Sequence, residues 1–163
     1  MARAKQSAPG TPATLALRKA GIVFVAHEYA HDPAAASYGL EAAEALGVQP
    51  GRVFKTLLVD TGAGLAVGVV PVDRQLDLKA VAGALGVKKV AMAQPADAER
   101  STGYVVGGIS PVGQKKALPT VLDATASDHA TILVSGGRRG LDLELAPADL
   151  TRITRATIAP ISR

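Results

Sequence analysis

The stretch "LAVGVVPV", residues 65–72, limits the fold more than any other part of the chain. Side chains alternate along a strand, and here both alternate sets are apolar, so a strand built from these residues must be covered on both faces. The turn "DTGAG" joins it to "RVFKTLLVD", residues 52–60, which also reads as a strand. In that second strand Val53, Lys55, Leu57 and Val59 point one way, while Phe54, Thr56, Leu58 and Asp60 point the other. Lys55 therefore shares a face with three aliphatic residues. A buried ammonium stripped of its partner costs about 3–5 kcal/mol, so the position demands a compensating group.

Helical signals surround this pair. Thr11 as cap, Pro12 at the first helical position and Gly21 as stop define a short helix. A second runs from Ser37 to the terminator Gly47, and a third, "LDLKAVAGALG", ends at Gly86. "IVFVAHEY" and "VKKVAM" read as strands, and "ADAERSTG" leads into a glycine-rich connection. In the last third "TVLD", "ATILVSGG", "GLDLELA" and "ATIAPI" read as strands interrupted by one helix at "APADLTRI". No repeat and no Pro- or Ser-rich linker divides the chain. The expectation is one α/β domain over residues 11–163, a mixed sheet curled towards a barrel with helices around it, behind a loose basic tail at 1–10.

With two Phe, three Tyr and no Trp, the core of this 163-residue chain must be built from Ala, Val, Leu and Ile. Absence of cysteine removes disulfides, thiolate nucleophiles and soft metal sites together, so any thiol chemistry has to come from a substrate. The longest stretch without Asp, Glu, Lys or Arg runs 14 residues, Ser101 to Gln114, short of the roughly 18 that a membrane span needs. The N-terminus lacks the apolar core and cleavage site of a secretion signal, which makes the cytoplasm the expected location. Net charge is +4, with basic pairs at Lys88-Lys89, Lys115-Lys116 and Arg138-Arg139 that suit either a solvated surface or phosphate contact.

Three motifs bear on chemistry. "HEYAH", His27 to His31, fits H-E-x-x-H, which binds zinc when a helix places the two histidines on one face. On the strand favoured by the preceding "GIVFVA", the two imidazoles lie about 13 Å apart at roughly 3.3 Å per residue, too far for one ion, so no metal is expected. "GGISPVGQKK", residues 107–116, has P-loop glycine spacing, but Gln114 stands where the motif needs lysine. What remains is either a plain turn or a loop whose backbone groups reach a ligand. "VSGGRRGLD" is either a hairpin or the second wall of a small-residue site.

At "YGLEAAEALG", "VFKTLLV", "QLDLKAVA", "STGYVVGGISPVGQKK" and "SGGRRGLDLEL" the chain resembles the YbaK-type family of cysteinyl-tRNA(Pro) deacylases. These are free-standing relatives of the editing insertion domain of bacterial prolyl-tRNA synthetase. The resemblance covers nearly everything from Thr11 onward. It implies a barrel-like mixed sheet and a pocket for the aminoacyl end of tRNA. Lys55 falls on the family's functional lysine, whose partner would be a phosphate or ribose oxygen at the tRNA 3′ end. Tyr29 would border the amino acid, and Gly107 and Gly108 match a glycine pair whose backbone would approach the substrate. Ser135 and Asp142 match the family's serine and aspartate, Asp142 as partner for an ammonium or ribose. Thr56 and Ser110, inside the same motifs, complete the expected binding set.

The resemblance implies substrate-assisted cleavage, in which the mischarged cysteine's own thiol attacks its ester carbonyl, with no cofactor. Aminoacyl-tRNA is the implied partner, and prolyl-tRNA synthetase a further one. Competing readings are editing of another small amino acid such as alanine, a binding module for the tRNA end or the synthetase without turnover, and a zinc-dependent hydrolase.

Overall fold

The computed structural model describes residues 10–35 and 37–163; the expected tail at 1–10 lies outside them except for Gly10. In chain order the elements are helix α1 (Pro12–Lys19), strand β1 (Val25–Glu28), helix α2 (Tyr38–Leu46), strands β2 (Phe54–Asp60) and β3 (Leu65–Pro71), and helix α3 (Leu78–Leu85). Strand β4 (Ala91–Met92), helix α4 (Pro95–Thr102), strands β5 (Thr120–Asp123), β6 (Ile132–Arg138) and β7 (Leu141–Leu145), helix α5 (Pro147–Thr154) and strand β8 (Thr157–Ala159) follow.

Capping chemistry fixes the helix ends. Thr11 Oγ1 accepts from the N–H of Thr14 and donates to the carbonyl of Gly136, so one hydroxyl both starts α1 and ties it to β6. Ser37 and Asp77 cap α2 and α3 in the same way, and both helices stop at a left-handed glycine, Gly47 and Gly86. Helix α4 was not expected from the sequence. It has Pro95 at its first position and Gly103 at its end, but no side-chain cap, and its polar composition hides it.

The strands form two sheets, a five-stranded one in the order β4-β2-β3-β5-β8 and a three-stranded one in the order β1-β7-β6. β2 runs antiparallel to β3 and β4, whereas β3-β5 and β5-β8 are parallel, so the larger sheet is mixed. The expected mixed α/β arrangement forms, and its sheets do not close into a complete barrel. The sheets meet at a single bridge, Val53 to Leu133, at the start of β2. Three predicted strands are also shorter than expected: only Val25–Glu28, Ala91–Met92 and Thr157–Ala159 of those stretches pair.

β3 sits at the centre of the five strands, as its two apolar faces require. Val67 and Val69 pack with Phe54, Leu58, Leu122 and residues of β6 and β7 in the main core, while Ala66 and Val70 pack with Val59, Val81 and Ile161 beneath α3. A third cluster joins Ala42 and Ala43 of α2 to Val53, Val72 and Leu133. It depends on Gly39, where a Cβ would lie 2.2 Å from Val72 Cγ1; without a side chain there, α2 settles against the end of β3.

Asp123 closes the larger sheet at its far edge. The carboxylate is buried and accepts from the N–H groups of Ile161 (2.8 Å), Ser162 (3.0 Å) and Thr125, and from the hydroxyls of Ser162 and Thr125. Burial opposes its charge, but these donors outweigh burial and hold the carboxyl below its usual range. An acid held low in the folded state stabilises it at neutral pH, and this contribution is lost as pH falls through the carboxylate range. Asp123→Ala should lower unfolding free energy by about 1–3 kcal/mol at pH 7, the cost of leaving buried donors unpaired. Urea titrations at pH 7 and pH 3 check this, with the gap between variant and parent narrowing at the lower pH.

Candidate active site

The failure of the sheets to close creates the site. Among the described residues the outer edge of β2 pairs with β4 only at Val59 and Asp60, the bridge to β6 is made by Val53 just before the strand, and the Leu58 carbonyl is taken by the N–H of Ala93. Phe54 to Leu57 therefore lie on an edge without a second strand. A cavity of about 320 Å³ opens there, and all the residues from Val53 to Leu58 line it whichever face they project from. Tyr29, the start of α2, Met92, Ala93, Pro95, Ala98, Val106, Gly107, Ile109, Ser135 and Asp142 add to its wall. The volume is at the small end for a ligand pocket.

Lys55 is half-buried in this wall, and among the described residues its ammonium makes no ion pair. Burial lowers its pKa and the nearby charge of Asp73 offsets part of that. Asp142, opposite Ser135 in the β6-β7 register, is 6% exposed and has no hydrogen-bond partner among the described residues. Burial pushes its carboxyl up to about 7. Burial, and then the charge of Asp142, raise the Tyr29 hydroxyl to about 12, so it stays protonated as a donor. The Thr56 hydroxyl is buried without a hydrogen-bond partner among the described residues. Lys55, Asp142 and the Thr56 hydroxyl thus line the cavity without an ion pair or hydrogen bond among the described residues, while the Tyr29 hydroxyl is held by the Gly140 backbone.

Gly107 and Gly108 divide. Gly107 lines the cavity, has φ +91°, and its N–H makes no hydrogen bond among the described residues. Gly108 does not line it; its N–H donates to the Val105 carbonyl at 2.8 Å, and a Cβ would strike the Arg138 backbone at 2.7 Å. Ser110 also departs from expectation. It is fully buried away from the cavity, its Oγ accepts from the Val112 N–H and its carbonyl from Gln114, so it shapes the loop instead of facing a ligand. Ser135 reaches the wall and accepts from the Gly137 N–H across the bulge that bends β6.

The H-E-x-x-H match is dispersed. His27 and Glu28 lie in β1, where His27 contacts Glu144 at 2.8 Å and Glu28 pairs with Arg138 at 2.5 Å, while His31 contacts Glu41 at 2.9 Å. Among the described residues no histidine lines the cavity. Sequence reasoning passed over Gly39, Met92, Ala93 and Pro95 as wall residues. Proline at the first position of α4 was the readable sign that the chain turns back there.

An unpaired carboxyl held near 7 burdens the fold. Between the unfolded value near 4 and about 7 the native state holds a proton that the unfolded chain has released, so stability falls as pH rises through that window. Asp142→Asn should therefore raise the melting temperature at pH 8 and leave it nearly unchanged at pH 4; thermal unfolding at the two pH values checks the sign.

Residues 32–153 match the family described as the aminoacyl-tRNA editing domain. An Enterococcus faecalis protein named "Putative Cys-tRNA(Pro)/Cys-tRNA(Cys) deacylase EbsC" is 46% identical over 121 residues, 74% of either chain. The crystal structure of hypothetical protein APE2540 superposes with TM-score 0.84 at 27% identity, covering 94% of this chain and 100% of its own. A structure described as "a putative trans-editing enzyme for prolyl tRNA synthetase" gives 0.80 at 26% identity, covering 93% of this chain and 95% of its own.

Proposed function

The chain belongs to the aminoacyl-tRNA editing domain family, and from that premise we propose that it is a trans-editing deacylase that clears cysteine from mischarged tRNA(Pro). The observation that carries the reading is a small cavity whose polar groups can hold an aminoacyl ester but include no thiol and no histidine to activate a hydroxyl. A site furnished in this way can orient and polarise; it is poorly equipped to supply a nucleophile.

The nucleophile is then the substrate's own. The cysteine sulfur attacks its ester carbonyl, the ribose oxygen leaves with the thiol proton, and the cyclic thioester that forms is opened by water. Holding sulfur and carbonyl in contact is worth about 7–11 kcal/mol in well-oriented cases, enough to make a protein base dispensable. In this scheme Lys55 anchors a phosphate or ribose oxygen of the tRNA 3′ end, as a point charge reached from an apolar wall. Asp142 holds the α-ammonium, Tyr29 and Thr56 donate to or border the amino acid, and Ser135 supports Asp142 from across the strand pair. Gly107 offers its free N–H to the developing oxyanion. Gly108 and Ser110 act behind it by fixing the loop.

Cavity size discriminates only by about 1–3 kcal/mol per methylene, so rejection of alanine rests on the missing thiol more than on fit. Among the described residues no helix is long and apolar enough to cross a membrane, and we place the reaction in the cytoplasm, where tRNA is charged. The name borne by one structural neighbour supports prolyl-tRNA synthetase as a partner that helps select the tRNA.

The test is release of amino acid from cysteinyl-tRNA(Pro) and alanyl-tRNA(Pro), by the parent protein and by Lys55→Ala, with a chelator present. Expected are rapid loss of cysteine, much slower loss of alanine, and a drop of about 10–100-fold in kcat/KM for the variant, the worth of one charged hydrogen bond. Retention of both amino acids would leave a binding module, and loss blocked by the chelator would return a metal to the mechanism. If Asp142 binds as a carboxylate, kcat/KM rises with pH through about 7, and Asp142→Asn flattens that limb.

A further inference from the structure

Arg139 lies in the turn between β6 and β7, is exposed, and is not among the residues that line the cavity. A basic residue so placed would ordinarily extend into water, yet two of its guanidinium nitrogens are held by one carbonyl. Nη2 donates to the Val106 carbonyl at 2.6 Å and Nε to the same oxygen at 3.2 Å. The guanidinium carbon also stands 4.6 Å from the centroid of the Tyr38 ring, at the start of α2. One side chain therefore joins three segments at the cavity mouth: the β6-β7 turn, the loop that carries Gly107, and α2. Its neighbour Arg138 turns the other way, to Glu28.

The oxygen that Arg139 holds belongs to the peptide unit whose nitrogen is that of Gly107. A peptide is planar, and in the trans form its C=O and N–H point in opposite directions; no cis bond occurs among the described residues. Drawing the Val106 oxygen towards the guanidinium therefore turns the Gly107 N–H away from it. That N–H has no partner among the described residues, and Gly107 is a wall residue. Glycine is needed for the clasp to close, because a Cβ at 107 would lie 2.6 Å from Arg139 Nε and 2.9 Å from the Tyr38 ring, at a φ that other residues avoid.

We propose that Arg139 is a positioning residue that fixes the Val106–Gly107 peptide with its N–H directed into the cavity, as a donor to the substrate's ester oxygen. Released from Arg139, this peptide can rotate and present its carbonyl to the cavity, which would repel the oxyanion it otherwise stabilises. The assignment of an ester oxygen rests on the deacylase reading; the orientation of the peptide does not.

The experiment compares the parent with Arg139→Ala and Arg139→Lys in two readouts, steady-state deacylation of cysteinyl-tRNA(Pro) and the NMR shifts of the Val106 carbonyl carbon and Gly107 amide. Arg139→Ala should lower kcat by about 10²-fold, the usual loss for one oxyanion donor, with KM little changed. The carbonyl and amide resonances should move with it. Arg139→Lys keeps a donor without the fork and should recover part of both. Unchanged kcat overturns the proposal, as does a rise in KM alone, which would make Arg139 a tRNA phosphate contact. If the parent releases no cysteine, the deacylase reading fails, and the resonances then decide separately: shifts unmoved in Arg139→Ala would refute the peptide's dependence on Arg139.

Discussion

The rest of the structure depends on a strand that is fully paired along one edge and left open along the other. β2 forms a seven-residue ladder with β3, which fixes its position, but among the described residues its outer side pairs with β4 only at Val59 and Asp60, and the bridge to β6 is made by Val53, just before the strand. Had the two sheets zipped together, the backbone groups of Phe54 to Leu57 would be consumed and their side chains sealed into the cores on either face. Because the pairing stops, consecutive residues of one strand all reach the same cavity. The site is an interruption of the fold's own hydrogen bonding, held open by apolar clusters that pack around it without filling it.

Such an opening collects groups that the fold cannot satisfy. Asp123 and Asp142 are both buried, yet one has five donors and the other has none among the described residues. Their carboxyls accordingly move in opposite directions, Asp123 below the usual range and Asp142 up to about 7. Asp123 secures the far edge of the larger sheet; Asp142 is a cost borne at the cavity, as perturbed groups at functional sites generally are. Lys55 follows the same logic, depressed by burial and only partly offset by Asp73.

Local chemistry was legible in the sequence and long-range pairing was not. Thr11, Pro12, Ser37, Gly47 and Gly86 act within a few residues of themselves, so their helices could be read directly. Two apolar faces identified β3 as central, and the conflict between Lys55 and its aliphatic neighbours pointed at the site. Whether a β-prone run such as "VKKVAM" finds a partner depends on residues far away, and only Ala91 and Met92 do. The same limit applied inside the glycine loop. Motif resemblance brought Gly107, Gly108 and Ser110 together, but only their hydrogen bonds reveal that one N–H has no partner among the described residues, one is spent on Val105, and the serine hydroxyl serves the turn.

The smaller sheet also sets an order in time. β1 has one partner, β7, and the contact between His27 and Glu144 spans 117 residues. As the chain leaves the ribosome, β1 emerges early and must wait, edge unsatisfied, until most of the remaining sequence has been made. Contacts of such separation slow folding and prolong the exposure of open strand edges. β1 is four residues long and carries a histidine and a glutamate, features that make a waiting strand a poor template for other chains. The polar side chains of His27 and Glu28, which pair with Glu144 and Arg138 in the finished sheet, thus bear on nascent-chain solubility as well.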